Sequence, residues 1–270
     1  MPLIRLERAD DPRVLEYRAV SEPDLVRARG LFVAEGRLVV RRVVEEDRCT
    51  VRSLLLSEAA QRDLEPVLAR VDRDLPVYVC AAKDFLNITG FDIHRGCLAL
   101  VQRPPSLSVE DALATARLVV VLEAVANADN VGSVFRNAAA FGVDAVLLSS
   151  SCCDPLYRKA IRTSMGATLR VPFARIADWP LGLGALRDRG FALVALTPRA
   201  PSQPLDRFAR SARPARIALL VGNEGAGLSG EVEGAADYRV RVPIRPDVDS
   251  LNLAVATGIA LSILTSSHDL

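Results

Sequence analysis

From residue 118 onward the chain repeats one device: a short run of aliphatic and β-branched residues, then a stretch with helical periodicity. The runs fall at 118–122, 145–148, 169–172, 191–196, 217–221 and 238–242, with helices expected at 131–141, 181–189 and 251–264. Runs without polar alternation suit strands buried on both faces, which is the signature of a parallel sheet rather than an antiparallel one. Strands alternating with helices predict an α/β architecture with helices on both faces of the sheet. Such a sheet binds ligands where its strands end and glycine-bearing turns begin, because helix N-termini and backbone N–H groups are exposed there.

The first hundred residues read differently. Apolar residues at 31–44 and 58–68 have helical spacing, and those at 51–56, 77–80 and 97–101 look extended. A small α/β domain over 1–103 is expected, then a linker over 104–112 that opens in the proline- and serine-rich stretch Arg103-Pro-Pro-Ser-Leu-Ser108, then a second domain over 113–270.

Composition excludes several classes. Half of the residues are hydrophobic and a quarter charged, the balance of a folded globular chain. Arg5, Glu7 and Arg8 interrupt the start where a secretory signal would be apolar, and the longest uncharged stretch, 251–267, falls short of the roughly 20 residues of a membrane helix. A cytoplasmic location without membrane association is expected. The five cysteines, Cys49, Cys80, Cys97, Cys152 and Cys153, have neither disulfide parity nor metal-site spacing. With only His94 and His268, neither a histidine metal centre nor a serine hydrolase is supported, and no metal is expected. The net charge of +1 does not announce a nucleic-acid binder, although all but Lys83 and Lys159 of the 34 basic residues are arginines, the side chain suited to bidentate phosphate contacts.

Three segments sit where strands end. Asn127-Ala-Asp-Asn-Val-Gly-Ser-Val-Phe-Arg-Asn137 runs into a helix with Asn130 as the expected N-cap and Arg136 off its apolar stripe. Leu220-Val-Gly-Asn-Glu-Gly-Ala-Gly-Leu-Ser229 carries three glycines and Glu224 after a buried strand. It is neither a dinucleotide fingerprint nor a P-loop. Val242-Pro-Ile-Arg-Pro-Asp-Val-Asp-Ser-Leu-Asn-Leu253 leads into the last helix, with Ser250 the expected N-cap and Asn252 in the first turn.

Taken in this order the segments resemble the SpoU/TrmH family of RNA 2′-O-ribose methyltransferases, within the SPOUT superfamily. Its Asn-x-Gly-x-x-x-Arg core is matched by Asn130, Gly132 and Arg136, its Gly-Asn-Glu-Gly-x-Gly loop by Gly222 to Gly227, and its Ser-Leu-Asn by Ser250 to Asn252. Arg162-Thr-Ser-Met-Gly166 is similar to the family's intervening Arg-x-Ser-x-Gly, and 29–37 to the opening of its substrate-binding domain. Two positions depart from the pattern: Ala128-Asp129 replaces a Pro-Gly pair, and Pro246 stands where a glycine is common. Asp129, Asp247 and Asp249 add negative charge nearby.

The resemblance implies a C-terminal domain with a deep trefoil knot, a small L30e-like domain before it, a homodimer paired through the knotted domain, and ribosomal or transfer RNA as partner. It implies S-adenosylmethionine as cofactor, held around Leu196, Thr197, Gly222, Asn223, Gly227, Val242, Ile244 and Leu251. Catalysis falls to Asn130, Arg136, Glu224, Ser250 and Asn252, with RNA contacts at Arg29, Arg37, Arg162 and Ser164. The rival readings predict other sequences. A catalytically silent RNA binder would have a damaged cofactor loop or lost motif residues, a nucleotide-dependent oxidoreductase would need a glycine fingerprint that Leu122-Glu-Ala-Val-Ala-Asn127 lacks, and against methylation at a base the pairing of Ser-Leu-Asn with Asn-x-Gly-x-x-x-Arg favours ribose.

Overall fold

A computed structural model describes residues 2–18, 22–46, 48–89, 96–211, 213–245, 247–248 and 250–266. The chain divides into two compact units, Met1–Pro105 with Pro155–Leu169, and Ser106–Asp154 with Arg170–Leu270.

In the first unit the elements run β1 (Leu3–Arg5), β2 (Leu31–Glu35), α1 (Arg37–Glu45), β3 (Val51–Ser57), α2 (Glu58–Leu68), β4 (Val77–Cys80), α3 (Phe85–Thr89) and β5 (Cys97–Gln102). Among the described residues the strands form one mixed sheet in the order β1-β4-β3-β5-β2. The expected helix over 31–44 is in fact two elements. Leu31–Glu35 is a strand antiparallel to β5, with Val33 opposite Leu100, and Gly36 at φ +102° turns the chain into α1. Four of the five β2 residues are buried, so the strand carries no alternation to separate it from the helix that follows.

The second unit begins with α4 (Val109–Leu113), β6 (Leu118–Leu122), α5 (Ala128–Ala140) and β7 (Ala145–Leu148). The chain then contributes α6 (Arg158–Thr163) to the first unit before returning as β8 (Phe173–Arg175), α7 (Gly184–Asp188), β9 (Ala192–Leu196), β10 (Gln203–Pro204), α8 (Leu205–Ser211), β11 (Ile217–Val221), α9 (Gly230–Ala235), β12 (Tyr238–Arg241) and α10 (Leu253–Ser266). Its strands are all parallel among the described residues, in the order β10-β12-β9-β11-β6-β7-β8. β6, β7 and β11 are wholly buried, as their unbroken apolar runs require. The strand expected at 169–172 lies later, at Phe173–Arg175, because Ala167–Leu169 closes a tight 3₁₀ turn first.

Residues 155–169, which the sequence reading assigned to the second domain, instead pack in the first unit. The cause is a buried carboxylate. Glu35, 3 % exposed at the end of β2, accepts from the guanidinium groups of both Arg158 and Arg162. Glu22 accepts from the Arg158 backbone N–H, and Arg42 on α1 donates to the Met165 carbonyl at 2.7 Å. A carboxylate removed from water is tolerated only when its lone pairs are filled, and two arginines from one short helix fill them.

Candidate active site

The site is assembled at the C-terminal ends of β6, β9, β11 and β12 in the second unit. After β6 the side chain of Asn127, not Asn130, caps α5, its Oδ1 accepting from the Asp129 N–H at 2.8 Å. That correction matters, because it releases the Asn130 carboxamide for long-range work. Asn130 Nδ2 donates to Glu224 Oε1 across 94 positions of sequence, and Asn252 Nδ2 donates to Asn130 Oδ1 at 3.1 Å. The cap of α10 is likewise Asn252 rather than Ser250: its Oδ1 accepts from the N–H groups of Ala254 at 2.9 Å and Val255 at 3.3 Å.

The three residues mark a triangle joined on two sides by hydrogen bonds, and their orientation follows from their chemistry. A carboxylate only accepts, so Asn130 must turn its amino group to Glu224 and its oxygen to Asn252. Asn252 must then turn its own oxygen to the free N–H groups of α10. One residue from each of the three segments is thereby locked to the others.

The loop after β11 is folded by its own residues. Asn223 Oδ1 accepts from Gly225 N–H at 2.9 Å and Ala226 N–H at 2.7 Å. At Gly222 there is no room for a side chain, since a Cβ would lie 2.1 Å from the Gly227 carbonyl carbon. Gly227 takes φ +70°, a left-handed conformation that glycine adopts at little cost. The turn leaves Glu224 exposed at its tip, aimed at α5.

Beside the triangle lies a cavity of about 520 Å³, lined by every one of Leu196, Thr197, Gly222, Asn223, Gly227, Val242, Ile244 and Leu251, together with Glu224, Ser250 and Asn252. Its lining combines aliphatic residues with glycines and with the polar or charged Thr197, Arg199, Asn223, Glu224 and Arg241, a mixture suited to a small-molecule site. Arg136 is not among the lining residues. It lies on the exposed side of α5, and among the described residues its guanidinium makes no hydrogen bond or ion pair. The next residue, Asn137, faces the other way and donates to the Ala254 carbonyl at 2.7 Å, with Gly258 allowing close approach of α10.

The four residues expected to contact RNA belong to the first unit. Arg29 is exposed, Arg37 pairs with Asp63, and Arg162 pairs with Glu35. Ser164 is 1 % exposed, and its hydroxyl donates to the Ile161 carbonyl at 2.9 Å and accepts from the Thr168 N–H at 3.3 Å. It closes the end of α6 and has no surface to offer RNA, which corrects the expectation for this residue. Pro246, Asp249, His94 and His268 lie outside the described residues.

Sequence reasoning missed the residues that brace the loop. Glu123, 7 % exposed, accepts from the Trp179 indole N–H at 2.9 Å and from the Ser229 backbone N–H at 2.8 Å, pinning the far end of the glycine-rich turn. The available signal was an acid placed directly after five buried aliphatic residues, where an unpaired charge would be costly.

Comparison with known proteins identifies the family. Residues 117–262 match the profile of the SpoU rRNA Methylase family. A Mycobacterium tuberculosis protein described as an uncharacterized tRNA/rRNA methyltransferase is 42 % identical over 262 residues, covering 96 % of this chain and 90 % of its own. The Bacillus subtilis 23S rRNA (guanosine(2553)-2′-O)-methyltransferase RlmP is 26 % identical across 94 % of this chain and 96 % of its own. An AdoMet-bound rRNA methyltransferase from Sinorhizobium meliloti superposes with a TM-score of 0.80 at 25 % identity, covering 99 % of each chain. On the matched profile and the full-length similarity, the chain belongs to the SpoU rRNA Methylase family.

Proposed function

We propose that this protein methylates a ribose 2′-hydroxyl of ribosomal or transfer RNA. The observation that carries the reading is the Glu224–Asn130–Asn252 triangle at the edge of the cavity, because it joins the three family segments by side chains alone. The cavity fits S-adenosylmethionine in size, and in pairing aliphatic walls from Leu196, Val242, Ile244 and Leu251 with backbone groups at Thr197, Gly222, Asn223 and Gly227. Bound there, the cofactor supplies an electrophilic methyl group.

The chain's own residues do the rest. Asn130, Ser250 and Asn252 hold the ribose, and Glu224 fixes the Asn130 amide so that the acceptor is presented in one orientation, the positioning from which much of the acceleration comes. Arg136, with its guanidinium uncommitted, takes the neighbouring phosphate in a bidentate contact and polarises the hydroxyl. Guanidinium stays protonated, so the hydroxyl proton passes to solvent water, not to Arg136, as the methyl is transferred. Ribose rather than base is favoured by the Ser-Leu-Asn segment and by the 2′-O activity in the name of the Bacillus subtilis relative.

In this reading the second unit carries the family's trefoil knot, consistent with β11 inserted between β6 and β9, and the first is an L30e-like domain whose Arg29, Arg37 and Arg162 meet RNA. The protein pairs as a homodimer through the knotted domain, where the uncharged α10 leaves Val255 51 % exposed. Among the described residues no helix is long and apolar enough to cross a membrane, and cytoplasmic RNA is the substrate pool. Transfer of labelled methyl from S-adenosylmethionine to unmodified RNA, followed by digestion to nucleosides, tests the proposal. A labelled 2′-O-methylnucleoside is expected. Label on a base would overturn it.

A further inference from the structure

Below the cavity lies a second polar cluster that the triangle does not use. The buried Thr197 hydroxyl, just past β9, donates to Glu233 Oε1 at 2.8 Å, and Arg199 Nη1 donates to the same oxygen at 3.3 Å. Glu233 sits on α9 with its side chain only 7 % exposed. The guanidinium of Arg199 also reaches the glycine-rich loop, donating through Nη1 to the Leu228 carbonyl at 2.9 Å and through Nη2 to the Ala226 carbonyl. One arginine thus straddles Gly227, holding the carbonyls on both sides of the left-handed residue. Its planar fork can satisfy several acceptors at once, which an ammonium group does less well.

Thr197, Arg199, Ala226 and Leu228 line the cavity, whereas Glu233 does not. The carboxylate therefore acts on the walls without being part of them. We infer that Glu233 is a positioning residue that fixes the gap between the end of β9 and the 226–228 loop, preforming the cavity for the adenosyl cofactor. The inference rests on the cofactor reading of this cavity. Without the anion, Arg199 loses the partner that orients it, and the loop must be ordered at the moment of binding, which weakens affinity.

The test uses the full-length protein. Glu233→Gln keeps an acceptor for Thr197 but removes the charge from Arg199. Calorimetry with S-adenosylhomocysteine should show a Kd raised about tenfold, and hydrogen exchange of the 225–228 amides in the ligand-free protein should accelerate while β6 and β11 stay protected. Arg199→Gln changes a half-exposed side chain and should give both effects even if Glu233→Gln folds poorly. Arg199→Lys should recover part of the loss, and the double variant should be no worse than the worse single one. Unchanged Kd and unchanged loop exchange in both Glu233→Gln and Arg199→Gln would overturn the inference. If the wild-type protein fails to bind S-adenosylhomocysteine, the cofactor reading falls, and the exchange of residues 225–228 alone decides the role of Glu233.

Discussion

The loop from Gly222 to Gly227 and the segment from Arg162 to Gly166 both look like family signatures, and both hold a glycine at positive φ, Gly227 at +70° and Gly166 at +83°. Their work differs. The first is held by its own Asn223 and by Arg199, and turns Glu224 outward to meet Asn130. The second turns its polar groups inward: Arg162 to Glu35, Ser164 to its own helix end, and the Met165 carbonyl to Arg42. The first loop takes its shape from hydrogen bonds to its own backbone and sends a charged side chain out to another segment, whereas the second makes its contacts within the first unit.

Substitutions in the two loops should separate these roles. The largest effect is expected at Gly222→Ala. The added Cβ has no space against Gly227, the loop must open, and overpacking of this kind costs about 1–3 kcal/mol. S-adenosylhomocysteine binding should fall below detection by calorimetry, with a lowered melting temperature. Next is Glu35→Ala, which strands Arg158 and Arg162. Removal of one partner from a fully buried pair costs about 3–5 kcal/mol, and because the Arg162 side chain is 42 % exposed we expect roughly 2 kcal/mol, read by urea unfolding. Cofactor affinity should not change, and a parallel loss of affinity would erase the contrast between the loops.

Asn252→Ala removes both the α10 cap and one side of the triangle, and should cost about 1 kcal/mol of stability together with a roughly tenfold slower methyl transfer. The smallest effect concerns reactivity. Burial pushes the Cys80 and Cys97 thiols up to about 12, so below that pH they stay protonated in the folded protein. Iodoacetamide at pH 8 should leave both unlabelled until the first unit is unfolded, since thiolate is the reactive form.

Much of the second unit was legible in its sequence, because the runs at 118–122, 145–148 and 217–221 are buried on both faces and leave no other reading. The helix caps were not. Asn127 and Asn130 are both good capping residues three positions apart, and what separates them is Glu224, 94 positions away. The same holds for Ser250 and Asn252. The placement of residues 155–169 was hidden for a similar reason, since the Glu35–Arg158 contact spans 123 positions and neither residue signals it locally. Strand β2 was misread because a strand buried at four of its five residues and running into an apolar helix has no periodicity of its own.

In the proposed function the cavity holds the cofactor and Arg136, which is not among its lining residues, holds the acceptor RNA. The most direct test is Arg136→Ala, comparing methyl transfer to RNA at saturating S-adenosylmethionine with calorimetric affinity for the cofactor. The account predicts transfer reduced on the order of 100-fold with cofactor Kd unchanged. Full transfer in the variant, or loss of cofactor binding in step with activity, would contradict it.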